Sequence, residues 1–426
     1  MTRPSVAEPS SRARWTAGYG PDARREAGAG PSGPRETGAD RDAPGRQPSG
    51  LPTAFAAGAV TVLTSLPVFL PGAASGLISA DLGWNAGRTG FLFAVYWLAS
   101  LLGAFRSRRA DNHWSVERVL AVALVLTGAG LLGAGAVPAV GLWLSSLLGG
   151  FLYGYTQPHT NVLIVRRCAP RIRAAAMGLK QAAVPAATLL ASITVPLLAD
   201  SAGWRAAFVG SGALCVALGT AFLCRSGSGA PVRPPGGPAL RFTAHISALS
   251  CAGFFGAMVG NGLGGFLMLS LTERGSSLAA AGAVASAGAT LNVGVRLGSG
   301  LAADRRPGRV WSLLGTMFLV GLLGTALLAS SGGAVAMTGA LLAYAGGWGW
   351  AGLLHHTAAR SFPGQENHAT AWTQMGVSLG AAVGPVLCGV LFDVSPSAPW
   401  WALTAAGAAA FVCVRGAHRT MPADGR

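Results

Sequence analysis

Gly300-Leu301-Ala302-Ala303-Asp304-Arg305-Arg306-Pro307-Gly308-Arg309 is a short charged turn set between two long apolar runs. A weaker copy, Arg108-Arg109-Ala110-Asp111, stands between two other apolar runs, with its aspartate 193 positions before Asp304. The same offset pairs Gln181 with Gln374, Asp200 with Asp393, Arg167 with Arg360 and Gly154 with Gly347. A fixed offset of nearly half the chain, through segments of matching hydropathy, reads as an internal duplication.

The runs around these turns decide the fold class. Of 426 residues 51% are hydrophobic and 11% charged, where a soluble protein carries roughly a quarter of its residues charged. That excludes a soluble enzyme. Twelve apolar runs approach the ~20 residues that span a bilayer core: 53–72, 89–105, 119–137, 141–164, 174–198, 206–224, 245–271, 278–301, 310–330, 334–357, 369–392 and 399–414. The expected fold is an all-α polytopic membrane protein, with twelve transmembrane helices as two six-helix halves. Residues 1–50 read as a disordered cytoplasmic tail, because Pro, Gly, Ala, Ser and Arg bury too little surface to order a chain. The halves fall at 51–224 and 244–416. A Pro/Gly-rich cytoplasmic linker at 225–243 joins them, and 417–426 is a short cytoplasmic tail.

The net charge of +16 is topological. With the N-terminus inside, the inner loops and C-terminal tail hold eighteen arginines, against Arg88, Arg205 and Arg274 outside. This positive-inside bias places both termini in the cytoplasm. The basic surface then meets anionic lipid, and no nucleic-acid partner is expected. None of the six cysteines falls in an outer loop, which argues against a disulfide framework. The first fifty residues lack an apolar core, so the first span is expected to act as its own insertion signal.

With six plus six spans, a central linker and inner termini, the chain resembles the major facilitator superfamily from residue 51 to about 416. The local signature of that family is a loop of the form G-x-x-x-D-R-x-G-R. Here Gly300, Asp304, Arg305, Gly308 and Arg309 match it with one extra residue. The first copy keeps Arg108, Arg109 and Asp111, with Ser107 in place of the glycine and Trp114-Ser115 in place of the last Gly-Arg. The resemblance implies that this loop steadies one face of an alternating-access cycle. The glycine-proline motif frequent in the fifth helix of family exporters is missing here. A Gly384-Pro385 step stands in the eleventh instead, which leaves direction open.

Lys180 is the only lysine in the chain, about two turns inside the fifth span. An ionisable group there is costly and marks a functional site, or else it snorkels to the interface along its stem. Gln157 and Asn161 lie at i and i+4 of the fourth span and share one face. Counted from the flanking inner arginines, they fall in the same layer as Lys180 and Gln181. His159 points the opposite way on a regular helix, which favours a structural role, while a kink at Pro158 would loosen that rule and bring it into the cavity as a substrate ligand. The second half supplies His355, His356, Gln374, Asn261 and Asn292. Arg296, eight residues before Asp304, reads as a partner of that loop or as an anion ligand in the cavity.

No Asp or Glu lies inside any span. The titratable candidates within the membrane are His159, His355, His356 and Lys180, of which a histidine changes charge between roughly pH 5 and 8. A neutral-to-positive cavity favours an anionic or polar neutral solute over a cation. The expected protein is a secondary carrier of a small organic solute, working as a monomer in the lipid bilayer. It needs no resident cofactor, and a proton or other ion would supply the coupling. The alanine-, glycine- and arginine-heavy composition points to a high-GC bacterium and its inner membrane.

Three alternatives stand beside this reading. One is multidrug or natural-product efflux, and another is a membrane sensor on a transporter fold. The last is a membrane enzyme, suggested only by Gly376-Val377-Ser378-Leu379-Gly380, which lacks the strand-turn-helix context that motif requires.

Overall fold

The computed structural model describes residues 50–109, 114–225, 243–330, 332–363 and 365–421. The expected tail at 1–49, most of the linker, and Asp111 lie outside them. Among the described residues there is no strand. The chain runs through α1 Leu51–Ala73, α2 Ser75–Leu82, α3 Ala86–Arg109, α4 Val116–Ala136 and α5 Pro138–Arg167. It continues through α6 Pro170–Gln181, α7 Ala183–Ala202, α8 Trp204–Arg225, α9 Ala244–Glu273 and α10 Leu278–Arg305. The last five are α11 Val310–Ser330, α12 Gly333–Leu342, α13 Ala351–Ser361, α14 Glu366–Phe392 and α15 Ala398–Arg419.

Ten helical stretches are long and apolar enough to cross a membrane. The run expected at 141–164 lies in α5, a 30-residue helix that is not one of the ten. The run expected at 334–357 is not one helix. It divides into α12, a π-helical turn Ala343–Gly347, and α13. The run expected at 174–198 also breaks, at Ala182 between α6 and α7.

Local chemistry sets the helix ends. Ser115, Ser277 and Thr243 cap α4, α10 and α9 by accepting the backbone N–H of Arg118, Ala280 and Ile246 at 3.3, 3.1 and 3.4 Å. Gly83 and Gly203 close α2 and α7 with φ of 63° and 74°, a region glycine enters without steric cost. Arg205 pairs with Asp81 at 2.7 Å, and Trp204 Nε1 donates to the same carboxylate at 3.3 Å. At the opposite end of the bundle Arg167 pairs with Glu117, tying the end of α5 to the start of α4.

Residues 50–225 and 243–421 meet closely at the end that carries Gly83. There α3 and α14 touch backbone to backbone. A Cβ on Gly90 would collide with the Pro385 carbonyl oxygen, and one on Gly389 would stand 2.5 Å from that of Ala86. Helices α1 and α9 approach through Gly72 and Gly265, and α7 meets α10 where Gly282 faces Pro196. Small residues allow such approaches between apolar helices, where packing rather than hydrophobic burial drives association.

Candidate functional site

Lys180 stands in the last turn of α6 in a buried position, with 4% of its surface exposed. Its Nζ donates to Asn161 Oδ1 at 2.5 Å and to the Gln157 carbonyl at 3.2 Å. The structure therefore brings Lys180, Gln157 and Asn161 together, α5 and α6 being antiparallel neighbours. Among the described residues no carboxylate belongs to this group. The ion pairs Asp81–Arg205 and Glu117–Arg167 both sit at helix ends. Gln157 Nε2 is buried without an acceptor, an amide donor left open beside the ammonium.

His159 faces away from this group. Its Nδ1 lies 2.9 Å from the Tyr155 carbonyl and 3.5 Å from Ser107 Oγ of α3, and its ring stacks on Tyr155 at 5.1 Å. Pro158 does not turn it toward Lys180, because α5 runs on through the proline.

Gln181 enters the site by its backbone. Its side chain is exposed, while its carbonyl accepts from Arg296 Nη1 at 2.8 Å. The cause is Pro185, four residues on, which has no N–H to close the helical bond to Gln181. That signal was present in the sequence and was missed there.

Arg296 also donates from Nη2 to the Trp348 carbonyl at 3.0 Å. One turn away on α10, Asn292 Nδ2 donates to the Tyr344 carbonyl at 2.6 Å, and Trp350 Nε1 donates to that of Gly347 at 2.7 Å. The break between α12 and α13 thus releases carbonyls that side chains answer, as non-helical backbone at membrane depth requires. Arg296 is within electrostatic reach of Tyr153 and His355. His355 bonds through Nδ1 to the Ala351 carbonyl at 2.7 Å, with the Gln374 side chain beside it. Gln374 in turn reaches Ser378 Oγ at 3.4 Å. Asn261 bonds to its own helix, at the Ala257 carbonyl, and its Oδ1 is buried without a partner.

An aromatic cluster joins the two segments beside this layer. Phe69 of α1 meets Trp348 at 5.6 Å and Phe93 of α3 at 6.2 Å, and Tyr344 meets Trp348 at 5.8 Å. The Trp348 indole lies on α9 where only Gly260 and Gly264 leave room for it.

The signature turn plays a quieter part. Gly300 lies in α10 with nothing within 4 Å of where a Cβ would stand, Asp304 and Arg305 end that helix, and Gly308 and Arg309 fall in a 3-10 turn. Arg305 and Arg309 are exposed. Arg108 and Arg109 close α3.

A family model, the Major Facilitator Superfamily, matches residues 55–366. Among solved structures, the chain is similar to a bacterial homologue of the human lysosomal transporter Spinster, in an inward-facing and unoccupied conformation. The identity is 17%, with a TM-score of 0.65, over 88% of this chain and 96% of that one. The same homologue in its inward-facing and occupied conformation matches with 17% identity and a TM-score of 0.64, over the same shares. No match was found among curated proteins.

Proposed function

The chain belongs to the major facilitator superfamily, and from that premise we propose that it moves a small organic anion across a bacterial cell membrane by alternating access. It is a multi-pass membrane transporter and not an enzyme. In the proposed architecture α5 and the broken α12–α13 join the ten apolar stretches to make twelve spans, divided into two six-helix halves by the linker. Both termini are cytoplasmic, on the strength of the arginine bias. The close approaches at the Gly83 end then support an inward-open conformation, with the outer face shut by α3 against α14.

The observation that carries the substrate class is Lys180. An ammonium in a membrane interior is expensive, and this one has only an amide oxygen and a carbonyl to hold it. An incoming carboxylate or similar anion supplies the missing charge, and Gln157 Nε2 offers it a further donor. Arg296 adds a second cation at similar depth. His355 and Gln374 line the other half of the proposed cavity.

The aromatic cluster of Phe69, Phe93, Tyr344 and Trp348 favours a second reading, export of amphipathic organic compounds.

A thermal-shift screen on the purified full chain and on Lys180→Gln separates the two. A ligand at about 100 times its dissociation constant adds about 2.7 kcal/mol to the native state. Carboxylates that stabilise the reference chain and not the variant sustain the anion reading. Amphipathic cations that stabilise both equally overturn it in favour of the second.

A further inference from the structure

Two interruptions of helical backbone, far apart in sequence, converge on one guanidinium. Pro185 deprives the Gln181 carbonyl of its helical donor, and Arg296 Nη1 supplies one at 2.8 Å. The wide turn at Ala343–Gly347 leaves the Trp348 carbonyl, and Arg296 Nη2 supplies that at 3.0 Å. The first acceptor lies before the linker and the second after it. The planar fork of arginine presents N–H groups in two directions at once, which a lysine ammonium on its single stem does not reproduce. With Nη1 and Nη2 both engaged, the guanidinium is oriented before any ligand arrives.

We propose that Pro185 and Arg296 are a positioning pair for transport. The proline bares a carbonyl in one half so that the arginine of the other can hold it, and this clip favours the conformation seen here. Its release is then one step of the change of access. Trp348 extends the link, since its carbonyl is held by Arg296 while its ring lies against Phe69 of the first half. The inference rests on the alternating-access reading and not on the charge of the substrate.

The test is cross-linking without ligand, in the full chain in lipid vesicles, with exposed Cys224 and Cys251 changed to serine. Two cysteine pairs serve as reporters. Gly178→Cys with Leu297→Cys reads the α6–α10 contact beside the clip, where a Cβ on Gly178 would lie 3.8 Å from the Cδ2 end of the Leu297 side chain. Gly76→Cys with Leu269→Cys reads the far end, where the corresponding distance is 3.6 Å. Because hydrogen bonds to a charged group are worth about tenfold or more in population, Arg296→Gln should slow cross-linking of both pairs about threefold or more.

Pro185→Ala, which restores a helical N–H to Gln181 and should fold readily, should act in the same direction. The double variant should be no slower than Arg296→Gln alone. Arg296→Lys, keeping the charge without the fork, should resemble Arg296→Gln. Additive effects, or a Pro185→Ala chain that behaves like the reference, overturn the pair. Slowing at Gly178/Leu297 with no change at Gly76/Leu269 sustains the clip and overturns alternating access instead.

Discussion

Asn161 Oδ1 lies 2.5 Å from Lys180 Nζ, so the chain's single ammonium is held by an amide rather than a carboxylate. Removing that oxygen leaves a buried charge short of a partner, which costs about 1–3 kcal/mol. Asn161→Leu should lower thermal stability by that amount, and Lys180→Met in the same background should recover most of it. Asn161→Asp should instead raise the melting temperature while abolishing stabilisation by carboxylate ligands, because the site then carries its own counter-ion. Thermal unfolding of the three variants checks both statements.

Asn292 satisfies the Tyr344 carbonyl within the π-helical turn. Asn292→Leu removes that donor from buried backbone, and a loss of about 1–3 kcal/mol is expected. A variant as stable as the reference would show that the turn finds another donor. Hydrogen exchange over 340–351 distinguishes a local opening from a global loss.

Asp81 is held below the usual carboxylate range by the hydrogen bond from Arg205. A carboxyl whose folded value is depressed stabilises the native state fully above its unfolded value, and that contribution is lost as pH falls through the folded one. The melting temperatures of the reference chain and Asp81→Asn should therefore differ by a constant amount at neutral pH and converge as pH drops below the ordinary aspartate range. The pair is exposed, so the gap should be small and should shrink with added salt.

Gly90 faces the Pro385 carbonyl with no space for a side chain. Gly90→Val should push α3 from α14 and shift the population away from the present conformation. The cysteine pair at Gly76 and Leu269 should cross-link more slowly in this variant while Arg296 is intact. Unchanged cross-linking would mean that the helices part by sliding rather than by opening.

Most of the helices were legible from the sequence because spans are set by apolar length, while the breaks at Ala182 and Ala343–Gly347 were not. The grouping of Lys180 with Gln157 and Asn161 was legible for a related reason: the arginines flanking both runs mark one boundary of the apolar layer, so equal distances from them mark equal depth. Arg296 was recognised as about two turns deeper than the signature loop, yet its partners were not. Both are backbone carbonyls, and a carbonyl becomes available only where a helix breaks. The π-helical turn at Ala343–Gly347 carries no proline to announce it, and depends on packing against α10 and α11. Gln181 was counted by its amide, whereas its main chain makes the contact. Glu117 with Arg167 and Asp81 with Arg205 were visible only as charges near helix ends, because pairing depends on which loops meet.

The seam between α3 and α14 is main chain against main chain at two points, Gly90 against Pro385 and Gly389 against Ala86. Side chains that interdigitate yield by degrees, changing rotamers as helices draw apart. Bare backbones have nothing to rearrange, and a gap of about an ångström already forfeits up to about half of their dispersion attraction. Such a seam behaves as a snap fastener, flush or undone, with half-open positions scarcely occupied. Under the proposed alternating access, with this end facing outward, solute would pass in discrete events and would not leak while the protein turns.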